Sequence, residues 1–123
     1  MARGRAGRDG RGRHAYLALR ATLHALRDRL PVHGALDLGA QLPTLIRGIY
    51  YERWRIVERP ALVRSRDEFL GAVLCESGTR SPDAERAARA VFAVLASKIS
   101  QGEIEDVRHA LPARLGDLWP ERA

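Results

Sequence analysis

The sequence has one cysteine, one lysine and no long hydrophobic run. A single cysteine excludes a disulfide framework, and no pair of Cys or His residues has the spacing of zinc ligands. Apolar runs such as residues 69–75 are far shorter than the about 20 residues that a membrane span needs, and no apolar segment of signal-peptide type follows the basic N-terminus. These absences predict a cytoplasmic protein without a membrane span, metal or other cofactor.

The net charge of +6 is unevenly distributed along the 123 residues. Residues 1–13 hold five arginines, alternating with glycine, against one aspartate, a net charge of +4 that leaves only +2 for the remainder. This composition cannot bury enough apolar area to offset the entropy lost on ordering, so it predicts a disordered Arg/Gly tail. Such a tail is typical of nucleic-acid contacts, but no aromatic residue is interleaved to stack on bases.

Arginine accounts for twenty of the 21 basic residues. Arg presents a fork that suits phosphate, so this count alone would favour nucleic acid. We interpret the bias instead as codon usage in a G+C-rich, bacterial genome, which weakens any argument from the number of arginines.

The spacing of apolar residues after residue 13 predicts an all-α protein. Between Tyr16 and Leu30 apolar residues recur every three or four positions, which is one stripe of a long helix. Capping boxes at Ser65 with Glu68 and at Ser100 with Glu103 mark two later helix starts. The sequence predicts a compact bundle of about seven helices, over residues 14–30, 32–42, 43–54, 65–77, 81–99, 100–111 and 112–119.

An internal repeat relates the two halves of the chain. A shift of 69 residues aligns residues 15–52 with 84–121 without a gap, and nine of the 38 positions are identical. One helix-to-helix corner in each half matches as well, since Leu42 and Pro43 align with Leu111 and Pro112. We therefore expect two tandem units packed face to face in a single domain, residues 14–123. The first unit is 14–54, the connector is 55–64 and the second unit is 65–120.

Four stretches of the chain carry a resemblance to a known family: residues 21–30 (ATLHALRDRL), 41–54 (QLPTLIRGIYYERW), 67–70 (DEFL) and 102–107 (GEIEDV). Through them the chain resembles the uncharacterised bacterial family known as domain of unknown function 2267. The resemblance implies a small helical protein and supplies no catalytic residue. Members of that family begin with a helix like that of residues 69–74. In this chain the Arg/Gly tail occupies that position, and a misassigned start of the sequence would give the same result.

No residue pattern indicates catalysis. Cys75 lies within the apolar run and has no nearby His, so we expect it to be buried and inert. His33 and His109 do not align with each other in the repeat, which gives no paired base or metal ligand. Glu103, with the acidic residues near it, is explained by the positive end of a helix dipole. We therefore expect that the protein is not an enzyme.

Two surfaces are candidates for binding. The segment 47–66 mixes six arginines with aromatic residues, a combination that suits either an acidic protein segment or a nucleic-acid backbone. The first long helix is the more apolar of the two and has no equivalent of residues 69–74 before it, which predicts an exposed apolar patch. The predicted interaction surface consists of Tyr16, Leu17, Leu19, Tyr51, Arg53, Arg55, Arg64 and Arg66.

These observations favour a non-enzymatic module that binds another macromolecule, with a protein partner or self-association expected. The alternative is a nucleic-acid-binding protein that uses the Arg/Gly tail and the segment 47–66. The two hypotheses differ in salt dependence, because phosphate binding weakens steeply with ionic strength.

Overall fold

The computed structural model describes residues 2–56, 65–77, 81–111 and 113–120, apart from the side chains of residues 2–11, 14, 81–83, 113 and 114. Within these ranges the chain is all-α, as predicted, with six α-helices and one 3-10 helix. The elements are α1 (Ala2–Arg29), α2 (Val32–Gln41), α3 (Thr44–Tyr51), α4 (Arg66–Ser77), α5 (Ser81–Lys98), α6 (Gln101–Ala110) and the 3-10 helix (Ala113–Leu118). None of these helices, over the side chains that are described, is both long and apolar enough to cross a membrane.

Three element boundaries differ from the sequence prediction. Helix α1 begins at Ala2 rather than at residue 14, because Arg and Ala are good helix formers and a helix that already exists is extended without a new nucleus. Helix α3 ends at Tyr51, three residues early. The last element is a 3-10 helix, the form that short helical segments adopt at chain connections and ends. Residues 57–64, most of the predicted connector, lie outside the described ranges.

The core lies where α1, α4 and α5 meet. All side chains from Ala21 to Arg27 of α1 are buried. Helix α4 contributes Phe69, whose ring centroid is 5.9 Å from that of Phe92 in α5, and Phe92 stacks on Trp119 at 4.4 Å. Helix α4 packs against both α1 and α5, so it fills the space between the two long helices.

Several helix bounds of the second half follow those of the first at an interval of 69 residues. Helices α1 and α5 end at Arg29 and Lys98, and α2 and α6 both have ten residues and begin 69 residues apart. Helices at matching positions contact each other, α1 with α5 and α2 with α6. Leu26 and Leu95 are both buried. The tandem repeat itself stays a prediction.

Candidate interaction surface

Three polar side chains on one face of α1 lie beside its apolar stripe, two of them buried and Arg20 half-buried. Arg20, His24 and Arg27 follow one another at intervals of four and three residues, which places them on the same side of the helix. His24 and Arg27 are each only 4% exposed. Buried polar groups of this kind are stable only with hydrogen-bond partners, and the partners here are the C-terminal end of α3 and a carboxylate of α4.

Arg27 holds the end of α3. Its Nη1 atom donates to the carbonyl oxygens of Tyr50 and Glu52, both at 2.8 Å, and its Nε atom donates to the Asp28 carboxylate at 2.9 Å. The last carbonyls of a helix have no partner within it and form its negative end. A guanidinium is therefore favoured here by both charge and hydrogen bonding.

His24 links three helices. Its Nε2 atom lies 2.7 Å from the Ile49 carbonyl oxygen of α3, and its Nδ1 atom lies 2.9 Å from the Glu76 carboxylate of α4. Both partners offer oxygen acceptors, so each ring nitrogen that carries hydrogen has a group to bind. Arg20 adds an ion pair with Glu52 at 2.7 Å, which also ties α1 to the end of α3.

The segment that these contacts hold, residues 51–56, is named here the α3 turn. Arg53 has a φ of 57°, the left-handed region that is costly for any residue except glycine. Arg53, Arg55 and Ile56 are exposed, Ile56 by 65%. The contacts at Tyr50 and Glu52 thus fix the start of a strained turn that presents two cations and an apolar side chain to solvent.

The aromatic residues of the turn pack on the protein rather than project from it. Tyr51 and Trp54 are half-buried and stack on each other, with ring centroids 5.6 Å apart. Tyr51 packs against Gly39 of α2 at a distance that leaves no room for a Cβ atom. The Tyr50 hydroxyl donates to the Ala35 carbonyl at 2.7 Å, and burial raises the pKa of Tyr50, which keeps this donor protonated. Helix α2 is therefore the second support of the turn.

The predicted binding residues of segment 47–66 differ in their exposure and in their ion pairs. Arg53 and Arg55 are exposed, and neither has an ion-pair partner among the described residues. Arg66 lies 3.7 Å from the Glu85 carboxylate of α5. Arg64 is outside the described ranges. Of the predicted arginines of this segment, the two without an ion-pair partner among the described residues therefore lie in the α3 turn.

The predicted apolar patch on α1 is only partly open. Tyr16 is 43% exposed, whereas Leu17 and Leu19 are half-buried and Leu19 packs against the core. The expectation that no helix covers α1 as α4 covers α5 is wrong, because α4 packs on both. The ion pairs between α4 and α1 join Glu76 to Arg20 and His24, so the residues of α1 that precede Arg20 take no part in them.

The structure places Cys75, His33 and His109, the side chains considered for catalysis, at the surface. Cys75 is exposed, so the prediction of a buried thiol is wrong, because it lies on the outward side of α4, away from Phe69 and Val73. His33 and His109 are exposed. Over the described part of the chain no three His, Cys, Asp or Glu side chains are placed to hold a metal ion.

Sequence reasoning missed the buried polar face of α1. Each of its residues directly follows a member of the apolar stripe, as in Leu19 with Arg20 and Leu26 with Arg27. These positions lie at the edge of the apolar helix face. Polar residues at an edge exposed to solvent would have the same spacing. The spacing is the only signal, and it does not reveal the carbonyl acceptors on α3.

Comparison with known proteins supplies a family and no activity. No curated protein matches the chain. The model of the family described as "Uncharacterized conserved protein (DUF2267)" matches residues 2–118, nearly the whole sequence. The match begins at residue 2, so it includes the arginine- and glycine-rich residues of α1. The chain therefore belongs to the DUF2267 family of uncharacterised conserved proteins.

Proposed function

We propose that the protein is a non-enzymatic interaction module of the bacterial cytoplasm, which binds a protein partner through the α3 turn. The observation that carries this proposal is that exposed Arg53, Arg55 and Ile56 follow directly on the end of α3, whose backbone carbonyls at Ile49, Tyr50 and Glu52 are bound by buried His24 and Arg27. Binding residues are commonly found on connecting segments that a rigid scaffold positions.

The composition of the turn indicates the chemistry of the partner. Arginine is enriched among the residues that contribute most to protein interfaces, and an apolar side chain beside it supplies area to bury. The buried supports reduce the entropy that ordering the turn would cost on binding. The partner is therefore expected to present carboxylates next to an apolar residue.

Tyr16 on α1 is a second exposed site, which supports self-association as another form of protein binding. It stands with half-buried Leu17 and Leu19. Three side chains, two of them half-buried, form a patch that is small compared with the about 800 Å² per partner of a standard interface. The α3 turn therefore remains the primary surface of the proposal.

Affinity capture from native lysate tests the proposal. The wild-type protein, Arg55→Ala with Ile56→Ser, and the control Arg86→Ala serve as bait; Arg86 is an exposed arginine on α5. All three substituted side chains are exposed, so stability is expected to change by less than about 0.5 kcal/mol. Proteins that the wild type and the control retain after nuclease treatment, but the double variant loses, support the proposal. Equal retention by all three baits contradicts it.

Nucleic-acid binding is the second candidate, and the two unpaired arginines of the α3 turn favour it. The stacked rings of Tyr51 and Trp54 are half-buried, which reduces the ring area available to bases. A titration with single-stranded nucleic acid over a range of salt concentrations separates the candidates. Phosphate binding gives a log-log slope of roughly −0.7 per neutralised phosphate, and capture that nuclease abolishes favours this candidate over the first.

The bundle is proposed to consist of two tandem units packed face to face, with about seven helical elements. The 69-residue interval between the bounds of α2 and α6 supports it, as do the contacts of α1 with α5 and of α2 with α6. A face-to-face pair buries the apolar faces that a unit of about 40 residues cannot bury alone. Superposition of residues 15–54 on 84–120 by experimental coordinates is the test, and a different path of the helices would refute it.

A further inference from the structure

One face of α5 is open to solvent at positions whose counterparts on α1 are buried. Under the 69-residue shift the aligned pairs are Ala21 with Ala90, His24 with Ala93, and Ala25 with Val94. The member of each pair on α1 is at most 4% exposed. The members on α5 are all exposed, Val94 by 44%. The exposed residues on this side of α5 are named here the α5 face and are Arg89, Ala90, Ala93, Val94, Ser97 and Lys98.

Helix α4 covers the corresponding face of α1. Its Glu76 carboxylate lies 2.9 Å from His24 Nδ1 and 3.9 Å from Arg20 Nε. Near the other end of α4, the centre of the Phe69 ring lies 6.0 Å from the guanidinium carbon of Arg29, an arrangement in which a cation is attracted to the face of an aromatic ring. The later residue of α4 thus meets the earlier part of α1, so the two helices are antiparallel.

The cations that α4 contacts on α1 have counterparts at the aligned positions of α5. Arg20 aligns with Arg89, and Arg29 aligns with Lys98. Both cations of α5 are exposed, and Lys98 has no ion-pair partner among the described residues. Arg89 is 3.4 Å from the Glu85 carboxylate, one turn earlier on the same helix. The α5 face therefore repeats the charges by which α1 contacts α4, whereas none of the other described elements supplies a carboxylate to them.

The charge and the small side chains of the α5 face select its occupant. Cations stand near both of its ends, so an antiparallel pairing with the α5 face of a second copy would bring like charges together. The short side chains of Ala90 and Ala93 allow another helix to approach closely, and Val94 supplies apolar area. These properties favour an acidic, amphipathic helix, which is the kind of helix that α4 presents to α1.

We propose that the α5 face binds a helix of a partner protein that lies antiparallel to α5 and carries an aromatic residue followed, seven positions later, by a carboxylate. This is the spacing of Phe69 and Glu76 in α4. The carboxylate pairs with Arg89, the aromatic ring lies against Lys98, and the helix covers Val94 between them. The inference depends on the 69-residue register and is independent of the α3 turn.

Fluorescence anisotropy with the full-length protein tests the proposal. The probe is a labelled peptide with the sequence of residues 65–77 and the change Cys75→Ser, which has the required aromatic residue and carboxylate. Helix α4 of the protein itself stays on α1, because a tethered segment has a high effective concentration. We expect the peptide to bind the wild type. Ala93→Glu should weaken binding by about tenfold or more, since it places a larger, like-charged side chain in the centre of the α5 face.

Ala15→Glu is the matched control, because it makes the same change at an exposed position of α1, and it should leave the affinity unchanged. Equal affinity of the wild type and Ala93→Glu overturns the proposal, as does an equal loss in both variants or a wild type that does not bind the peptide. Ala93 and Ala15 are both exposed, so thermal melts of the two variants should match that of the wild type.

Exchange of charge tests the expected pairing directly. Arg89→Glu should weaken binding of the peptide, and a second peptide with Glu76→Arg should recover affinity for this variant. A loss caused only by misfolding is not recovered in this way, so failure of the second peptide contradicts the pairing. Light scattering tests the other occupant. A wild type that dimerises, with a dimer that Ala93→Glu abolishes, would assign the α5 face to a second copy and overturn the proposal.

Discussion

Substitution of Arg27 by methionine tests whether the end of α3 is held by the guanidinium of α1. Methionine keeps an unbranched apolar stem, so packing along the stem is largely preserved. The substitution removes both hydrogen bonds to the carbonyl oxygens of Tyr50 and Glu52. It leaves two helix-terminal acceptors without their buried donor.

The magnitude follows from those two acceptors. Each polar group left unsatisfied on burial costs about 1 to 3 kcal/mol, and relief of the cost of burying the guanidinium offsets part of the sum. We expect Arg27→Met to lower the free energy of unfolding by about 2 to 4 kcal/mol, a large share of the roughly 5 to 15 kcal/mol of a typical domain.

Urea denaturation followed by circular dichroism measures this change. With a slope of about 2 kcal/mol per molar urea, in the middle of the range for small proteins, the midpoint should fall by roughly 1 to 2 M. Arg53→Met is the matched control, because Arg53 is an exposed arginine of the same turn, and it should change stability by less than about 0.5 kcal/mol. If Arg27→Met unfolds within about 1 kcal/mol of the wild type, the contacts of Arg27 do not stabilise the turn and the reasoning is refuted.

Three further predictions concern single positions. Gly39→Ala should lower the melting temperature, with a cost of about 1 to 3 kcal/mol for overpacking against Tyr51. The control Gly48→Ala should leave the melting temperature unchanged, because a Cβ at that position meets nothing within 4 Å. Equal melting temperatures of the two variants would contradict this prediction. Leu95→Ala should cost about 2 to 5 kcal/mol in urea denaturation because it leaves a cavity in the core; a smaller cost would show that the site collapses. Burial and the neighbouring charges of Asp37 and Asp106 raise the pKa of Glu103 above its ordinary value of 4.5. Its contribution to stability is therefore present below pH 4.5 and is lost as the pH rises through the higher folded-state value. Melts across that range should show Glu103→Gln gaining on the wild type as the pH rises, and a constant difference would contradict the assignment.

The sequence predicts the helices well because their signals are local. The ends of α1, α2 and α6 are set by proline corners and a serine cap, which act over a few residues and need no tertiary information. The start of α1 was not predicted, because the four glycines of residues 4–12 each disfavour a helix and no apolar stripe marks one there.

The candidate surface was predicted only in outline. Arg53 and Arg55 were identified from composition, and the structure places both at the surface. The supports of the turn were not identified, since Arg27 and Tyr50 are 23 residues apart and their contact depends on the packing of α3 on α1. The burial of Cys75 was predicted wrongly because an apolar run does not specify which side of a helix faces inward.

The position of α4 has a consequence for cooperativity. Phe69 packs on Phe92 of α5, and the guanidinium carbon of Arg29 in α1 lies 6.0 Å from the centre of its ring. Loss of either long helix would expose this side chain, so neither half keeps its native contacts when the other unfolds. Hydrogen exchange should therefore show the slowest amides of α1 and α5 opening with the same free energy, in one global event.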